Sequence, residues 1–340
     1  MIIFKCVMRV TCVSLVQMTT IAIGLFCFSI ISGATDFYVD PVNGSMDGDG
    51  SLRKPWSTMQ EVWQQKKIQT QHWKTPYKKG SATLLDRNVD APVKPGDTIN
   101  LLSGYHGDLD IREAVNSTPI IVKAIEGEVP RFKKISLRSA SNWIFEGLSI
   151  SPSYAETYST VTMFRVEDHN WTGPSSHITL KNSNLFSVRD TSEWTKSDWL
   201  KTVSSGVHSQ GDYTLIENVK ISNVGLGVKF DRAAYSEIIH SEIINISQDG
   251  IQIAGSDFFK AEYNLVSNVR SVSERNHYDL LQVWSTDGDI DGGVIRGNIL
   301  LLADNENQQF LKSVQGIGMF DGWFNDFIIE NNIVITAEFV

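Results

Sequence analysis

Along the second half of the chain one short arrangement of apolar and polar positions recurs: an apolar residue, a mostly polar stretch, and another apolar residue five positions after the first. The copies read LKNSNL (180–185), IENVKI (216–221), IHSEII (239–244), AEYNLV (261–266), IRGNIL (295–300) and IENNIV (329–334). Their third residues, Asn182, Asn218, Ser241, Tyr263, Gly297 and Asn331, lie 36, 23, 22, 34 and 34 positions apart by subtraction. A repeat of this length, built from short β-rich segments with no amphipathic helix between them, predicts a solenoid whose coils stack strands in parallel. The expected fold is all-β, a right-handed parallel β-helix with a basic coil of 22 to 23 residues. Asparagine suits its corners, because it tolerates left-handed backbone and its amide can bond to the next coil.

A second strand follows each corner, in GVH (206–208), GLGVK (225–229), DGIQI (249–253), DLLQVW (279–284) and QGIGMF (315–320). Strand alternation turns Val228, Ile251, Ile253, Val283 and Met319 inward and Gln252 outward. The extra residues of the long coils, about 186–205, 268–278 and 302–314, all fall between the corner and this second strand. Loops stacked on one edge of a solenoid make a wall, which is the candidate cleft.

The amino-terminal part reads differently. Phe37 to Asp40 form a strand, the Gly/Asp stretch to Gly50 a turn, and 58–65 a short helix opened by Ser57. An open solenoid end exposes strand edges, so a cap is expected there. The domain reading is a signal peptide at 1–34, a cap with the first coils at 35–130, and the β-helix at 131–340, with further coils expected beyond Val340.

Within 1–34, Lys5 and Arg9 precede an apolar run, and Ser32, Gly33 and Ala34 supply the small residues of a cleavage site. Cleavage after Ala34 is the expectation, and an uncleaved anchor the alternative. Cys6, Cys12 and Cys27 all fall in this segment, so the exported chain relies on its core rather than on disulfides. The net charge of −9 argues against nucleic acid and gives no bulk attraction for a polyanion, so an acidic ligand must be held by local cations. The protein is expected outside the membrane once cleaved, secreted or periplasmic, and monomeric.

The segments DFYVDPVNGS (36–45), KPWSTMQ (54–60), VKPGDTI (93–99) and WIFEGL (143–148) resemble pectate-lyase-like β-helix proteins, including alginate and chondroitin lyases of the chondroitinase B type. HYDLLQ (277–282), VQGI (314–317) and FDG (320–322) are similar to a His-x-Asp-x-x-Gln and Gln-Gly-Ile pair of secreted β-helix proteins. The resemblance implies an acidic polysaccharide as partner and a polysaccharide lyase as activity. It also implies a Lys and an Arg on adjacent coils, usually with calcium, and no such pair aligns residue by residue here.

Lyases and C5-epimerases of uronate polymers both neutralise the sugar carboxylate and then remove the C5 proton, so the site needs a cation beside a base. The candidates are Arg275 or Lys229 for the carboxylate, His277 as base coupled to Asp279, and Tyr278 or His208 as proton donor. Gln252, Gln282, Trp284, Arg270, Gln315 and Asp321 are candidate substrate contacts, with Trp284 assigned to the column of Lys229. Gln252 and Gln282 also fit a stacked amide ladder. Trp194 and Trp199 in the first wall loop could stack on sugar rings or pack the loop onto the solenoid. A hydrolase would instead use two carboxylates, for which Asp279 and Asp321 are the pair. A non-catalytic glycan-binding or adhesive protein is the third reading. Asp287, Asp289 and Asp291 have the opening spacing of a calcium loop, but Asn298 stands where its closing Glu belongs, so only a calcium-stabilised turn is open to them.

Overall fold

Strand pairing in a computed structural model, which describes residues 33–273, 277–286, 288–305 and 308–336, arranges the chain as a parallel β-helix. Three columns of strands stack along it. The first contains Thr162–Glu167, Ser205–Ser209, Val228–Asp231, Ile251–Ala254, Asp279–Trp284 and Gln315–Phe320, each paired in parallel with the next. The second runs from Ser176–Lys181 through Leu215–Glu217, Glu237–Ile239, Lys260–Glu262 and Val294–Arg296 to Ile328–Glu330. The third runs from Asn184–Phe186 through Lys220–Val224, Glu242–Ile246, Leu265–Val269 and Ile299–Leu301 to Ile333–Ile335. Earlier in the chain, Asp108–Ala124 and Lys134–Glu146 pass through the first and second columns without a break, apart from a register shift between Val115 and Ile120.

Period-two alternation fills the interior. Val228, Ile251, Ile253 and Val283 are fully buried, Met319 packs against the same core, and Gln252 is half-buried on the outer face. The three insertions enter between the third and first columns, at 187–204, 270–278 and 302–314, so they share one edge of the first column.

The corner between the second and third columns is left-handed at Asn182, Asn218, His240, Tyr263, Gly297 and Asn331. His240, not Ser241, is thus the third corner, and the coil steps there are 22 and 23 rather than 23 and 22. The slip arises because Ile238 and Ile239 are adjacent. Pairing Ile216 with Ile238 buries Ile238 and turns Ile239 outward, and a one-residue shift exchanges the two faces. Corner amides do bond between coils: Asn218 Nδ2 donates to Asn182 Oδ1 (2.7 Å). One position on, Asn264 Nδ2 donates to Asn298 Oδ1 (3.0 Å) and Asn298 Nδ2 to Asn332 Oδ1 (2.9 Å).

Near the amino terminus, Asp36–Val39 is the first strand of the second column, parallel to Thr98–Leu101. The short helix is Met59–Gln64, with Met59 and Val62 fully buried. Its N-cap is Thr58, whose side chain accepts from Glu61 N, while Ser57 Oγ donates to the Glu61 carboxylate (2.6 Å). Both hydroxyls serve the helix start, but the cap geometry belongs to the later one.

Most of the 1–34 segment with its three cysteines, the candidate cation Arg275 and the candidate calcium ligand Asp287 lie outside the described residues. No helix among the described residues is long and apolar enough to cross a membrane.

Candidate active site

The site grows from a feature that repeats on two coils of the first column, an Asp followed three residues later by a Gln. Asp249 lies two residues before the strand Ile251–Ala254 and Asp279 opens the next one, with Gly250 N donating to Asp279 O (2.9 Å) and Asp279 N donating to Asp249 Oδ1 (3.1 Å). Gln252 and Gln282 are direct partners in the parallel register. On the next coil Gln315 pairs with Asp279 and Gly318 with Gln282.

These side chains form one network. Gln252 Nε2 donates to Asp249 Oδ2 (3.0 Å) and to Gln282 Oε1 (2.8 Å), and Gln282 Nε2 donates to Asp279 Oδ2 (2.9 Å). The same Asp279 oxygen lies 2.9 Å from His277 Nδ1. Asp279 is fully buried whereas the His277 side chain is 60% exposed, so a buried carboxylate orients a solvent-facing imidazole. This geometry assigns the proton to Nδ1 and leaves the Nε2 lone pair free. Burial pushes the Asp279 carboxyl above the ordinary carboxylate range, opposed by its bonds from His277 and Gln282. Burial likewise raises Asp249 to about 6; the hydrogen bond from Asp279 N opposes this and the charge of Asp279 reinforces it.

Asp249, Gln252, His277, Gln282, Trp284, Phe320 and Asp321 line an open cleft of about 460 Å³. The Trp284 indole N–H is buried without a partner. A neighbouring cleft shares Asp249 and Gln252 and extends the surface toward Trp199 and Leu200 of the wall. The open position of Asp321 is left-handed (φ 63°).

The predicted residues divide. His277, Asp279, Gln252, Gln282, Trp284 and Asp321 come together. Gln315 stands beside Asp279, with its Oε1 buried and unpartnered. Lys229 is in register with Gln252, whereas Trp284 is in register with Ala254, so the two do not share one register position. They meet diagonally instead, with Lys229 Nζ 5.5 Å from the Trp284 ring centroid. His208 neighbours Lys229 in the preceding coil, and its Nε2 lies 3.5 Å from Asp231 Oδ2. Burial, then the charge of Lys229, holds this histidine below its ordinary range.

Other candidates are placed elsewhere. Tyr278 is buried in the core, with its hydroxyl donating to Ser273 O (3.1 Å) and accepting from Ser273 N, so it does not face the cleft. Trp199 is 1% exposed and packs the wall loop onto the solenoid, with Trp194 edge-on against it at 5.0 Å. Arg270 stacks on Trp199 in a different cleft. Asp279, being fully buried, cannot present a carboxylate to a glycosidic bond, which removes the Asp279/Asp321 hydrolytic pair. Asp289 is exposed, and Asp291 accepts from Asn325 Nδ2 (2.9 Å) in a small strand pair. Asp287 lies outside the described residues, and among those described no group of three or more His, Cys, Asp or Glu side chains is placed to hold a metal ion.

Asp249 is the site residue that sequence reasoning missed, because Asp before Gly is ordinary turn chemistry. The available signal was the matched Asp-x-x-Gln spacing of 249–252 and 279–282.

No protein-family model matches this chain, and no curated protein matches it. Among solved structures it is similar to the pectate lyase Pel9A, with 12% identity and a TM-score of 0.45 over 89% of this chain and 79% of that one. It is similar to a rhamnogalacturonan lyase at 14% identity and a TM-score of 0.45, covering 88% and 87% of the two chains. A third is a mannuronic acid specific polysaccharide family 6 lyase from human gut microbiota, at 16% identity and a TM-score of 0.45. That match covers 71% of this chain and 61% of the lyase.

Proposed function

We propose that this protein processes an acidic, uronate-containing polysaccharide outside the cell by abstracting the C5 proton, as a lyase or a C5-epimerase. The observation that carries the reading is the His277–Asp279 pair, an exposed imidazole whose other nitrogen is tied at 2.9 Å to a buried carboxylate at the edge of an open cleft. Such a pair makes a general base, because the carboxylate fixes the tautomer and stabilises the imidazolium once Nε2 takes a proton.

In this reading His277 Nε2 accepts the C5 proton and the Lys229 ammonium offsets the sugar carboxylate. Trp284 supplies an aromatic edge. Asp279 is a positioning residue, since it is buried. For elimination the C5–H electron pair becomes the C4–C5 double bond, and O4 leaves with the pair of its bond to C4. The proton O4 needs comes from Asp249, whose carboxyl lines the same cleft and holds its proton up to about pH 6. For epimerisation the same carbanion takes a proton at C5 from water on the opposite face, and His277 returns its proton to solvent.

The test is incubation of the purified protein with alginate, pectate and glycosaminoglycans, following ultraviolet absorbance of unsaturated ends and uronate composition by NMR. Either signal is expected to change with one polymer and to fall about 100-fold or more in His277→Ala. No change in both signals across the panel overturns the reading.

A further inference from the structure

The insertion wall holds a second polar cleft that shares no residue with the one around His277. It encloses about 320 Å³, and its lining includes two arginines, Arg189 and Arg270, with Asn223, Asn245, Gln309 and Asp190. Arg270 is half-buried against the Trp199 ring (5.9 Å to its centroid). One guanidinium nitrogen, Nη2, donates to Asn245 Oδ1 (3.2 Å), while Nη1 is buried with no partner. Arg189 is exposed, lies 4.9 Å over the Phe186 ring, and donates to the Tyr154 hydroxyl (3.3 Å). Among the described residues neither arginine has a carboxylate within ion-pair distance, unlike Arg112, Arg138, Arg165, Arg232 and Arg296.

The two cations are fixed by one ladder of corner amides. Asn245 Nδ2 donates to Asn223 Oδ1 (2.9 Å), and Asn223 Nδ2 donates to the backbone oxygens of Val188 (2.9 Å) and Arg189 (3.1 Å). The amide that receives Arg270 is therefore linked to the one that holds the Arg189 backbone. Asp190 is the opposing charge in the lining, and its carboxylate accepts from Ser192 N (2.9 Å), closing its own turn. Burial pushes the Arg270 guanidinium down from its ordinary value, but an arginine remains charged. The charge of Asp304 opposes that burial from beyond ion-pair distance, and a half-buried guanidinium with no carboxylate in direct contact is costly, a cost that an anion arriving in the cleft would relieve.

We propose that this cleft is a second, non-catalytic binding site for an anionic sugar unit, a pyranose carrying a carboxylate or sulfate, with Arg270 and Arg189 as its charge clamp. A sugar fits better than a bare inorganic anion, because the volume lies in the range of clefts that enclose organic ligands, roughly 300 to 1,000 Å³. Its amide lining also suits hydroxyls. Arg189 also lines an adjoining cleft of about 420 Å³ with Glu128, Asn184, Phe186 and Lys220, the last already paired with Glu242 (3.0 Å).

The experiment uses full-length protein carrying His277→Ala, so that nothing is consumed, with saturated oligosaccharides of galacturonate, mannuronate and chondroitin in calorimetric titrations. Methyl esters of the uronates and sodium sulfate serve as controls. At least one charged oligosaccharide is expected to bind, with affinity falling tenfold or more in Arg270→Gln and in Arg189→Gln. Arg189 is exposed, so its variant keeps the test valid if Arg270→Gln destabilises the wall, and Arg270→Lys should retain part of the affinity. Unchanged affinity in both glutamine variants, equal affinity for the methyl esters, sulfate binding as tight as the oligosaccharide, or no binding at all overturns the proposal. Product formation in the polymer assay stands apart from this readout, so either reading can fail while the other survives.

Discussion

His106 sets up a pH dependence of stability whose size can be worked from its surroundings. Its side chain is fully buried and stacked on Phe132 (5.4 Å), with Nε2–H donating to Leu102 O (2.8 Å) and Nδ1 buried without a partner. A proton on Nδ1 would place a charge where nothing accepts it, and burial accordingly lowers the pKa from 6.5 to about 4. The Leu102 bond and Asp40 oppose that shift, and Arg131 adds to it. Because the folded pKa lies below the unfolded one, this contribution is fully present above pH 6.5 and is lost as the pH falls from 6.5 toward 4. At about 1.4 kcal/mol per pH unit the loss amounts to about 3 kcal/mol. Substituting His106→Phe removes the titration but leaves the Leu102 carbonyl unbonded, at a cost of roughly 1 to 2 kcal/mol. Urea unfolding of both proteins between pH 8 and pH 4 should therefore show curves that cross, with wild type more stable at pH 8 and the variant more stable at pH 4. Parallel curves would refute the argument, because they would mean that His106 is already neutralised by a partner or reached by water.

Three further outcomes follow from the site and the register. With Asp249 as the acid, its proton is present below about pH 6 and lost above it, so turnover should fall as the pH rises past that value. Rate profiles of Asp249→Asn should be lower by roughly 100-fold at pH 5 and lack this limb. In Gly318→Ala the new methyl group would sit 2.5 Å from Asp279 Oδ1 and from the Phe320 ring, so a loss of about 1 to 3 kcal/mol in thermal unfolding and disturbed His277 ring signals in NMR are expected. Ile238→Ala should cost about 2 to 5 kcal/mol and Ile239→Ala far less; equal losses would restore the alternative register.

The regular part of the fold was legible because each strand of the first column alternates cleanly, as Ile251, Gln252 and Ile253 do. The shared edge of the insertions was legible for the same reason, since their positions are counted from well-marked strands. Legibility failed where the pattern is degenerate. Two consecutive isoleucines fit either face, so Ile238 and Ile239 could be exchanged. Ser57 and Thr58 are both good caps. The site was readable to the extent that it lies on a strand: His277, Asp279 and Gln282 could be grouped from spacing, and Gln252 from register. Trp199 and Tyr278 could not be read, because whether a ring faces a sugar or a core depends on how a loop folds back. Lys229 and Trp284 interact diagonally across coils, which a column-by-column count does not reveal.

Asp249 with Gln252, His277 with Gln282, and Phe320 with Asp321 belong to three successive turns of the helix, so no single turn possesses the cleft. A solenoid is held together chiefly by contacts between neighbouring turns, and it can open at one junction while the rest stays wound. Opening the junction between Ile251–Ala254 and Asp279–Trp284 would separate Gln252 from Gln282 and release Asp249, leaving the other turns intact. Function thereby becomes a sensor of one local seam. On heating, inactivation should set in before the bulk loss of β-structure, and ligand that grips both sides of the seam should bring the two events together.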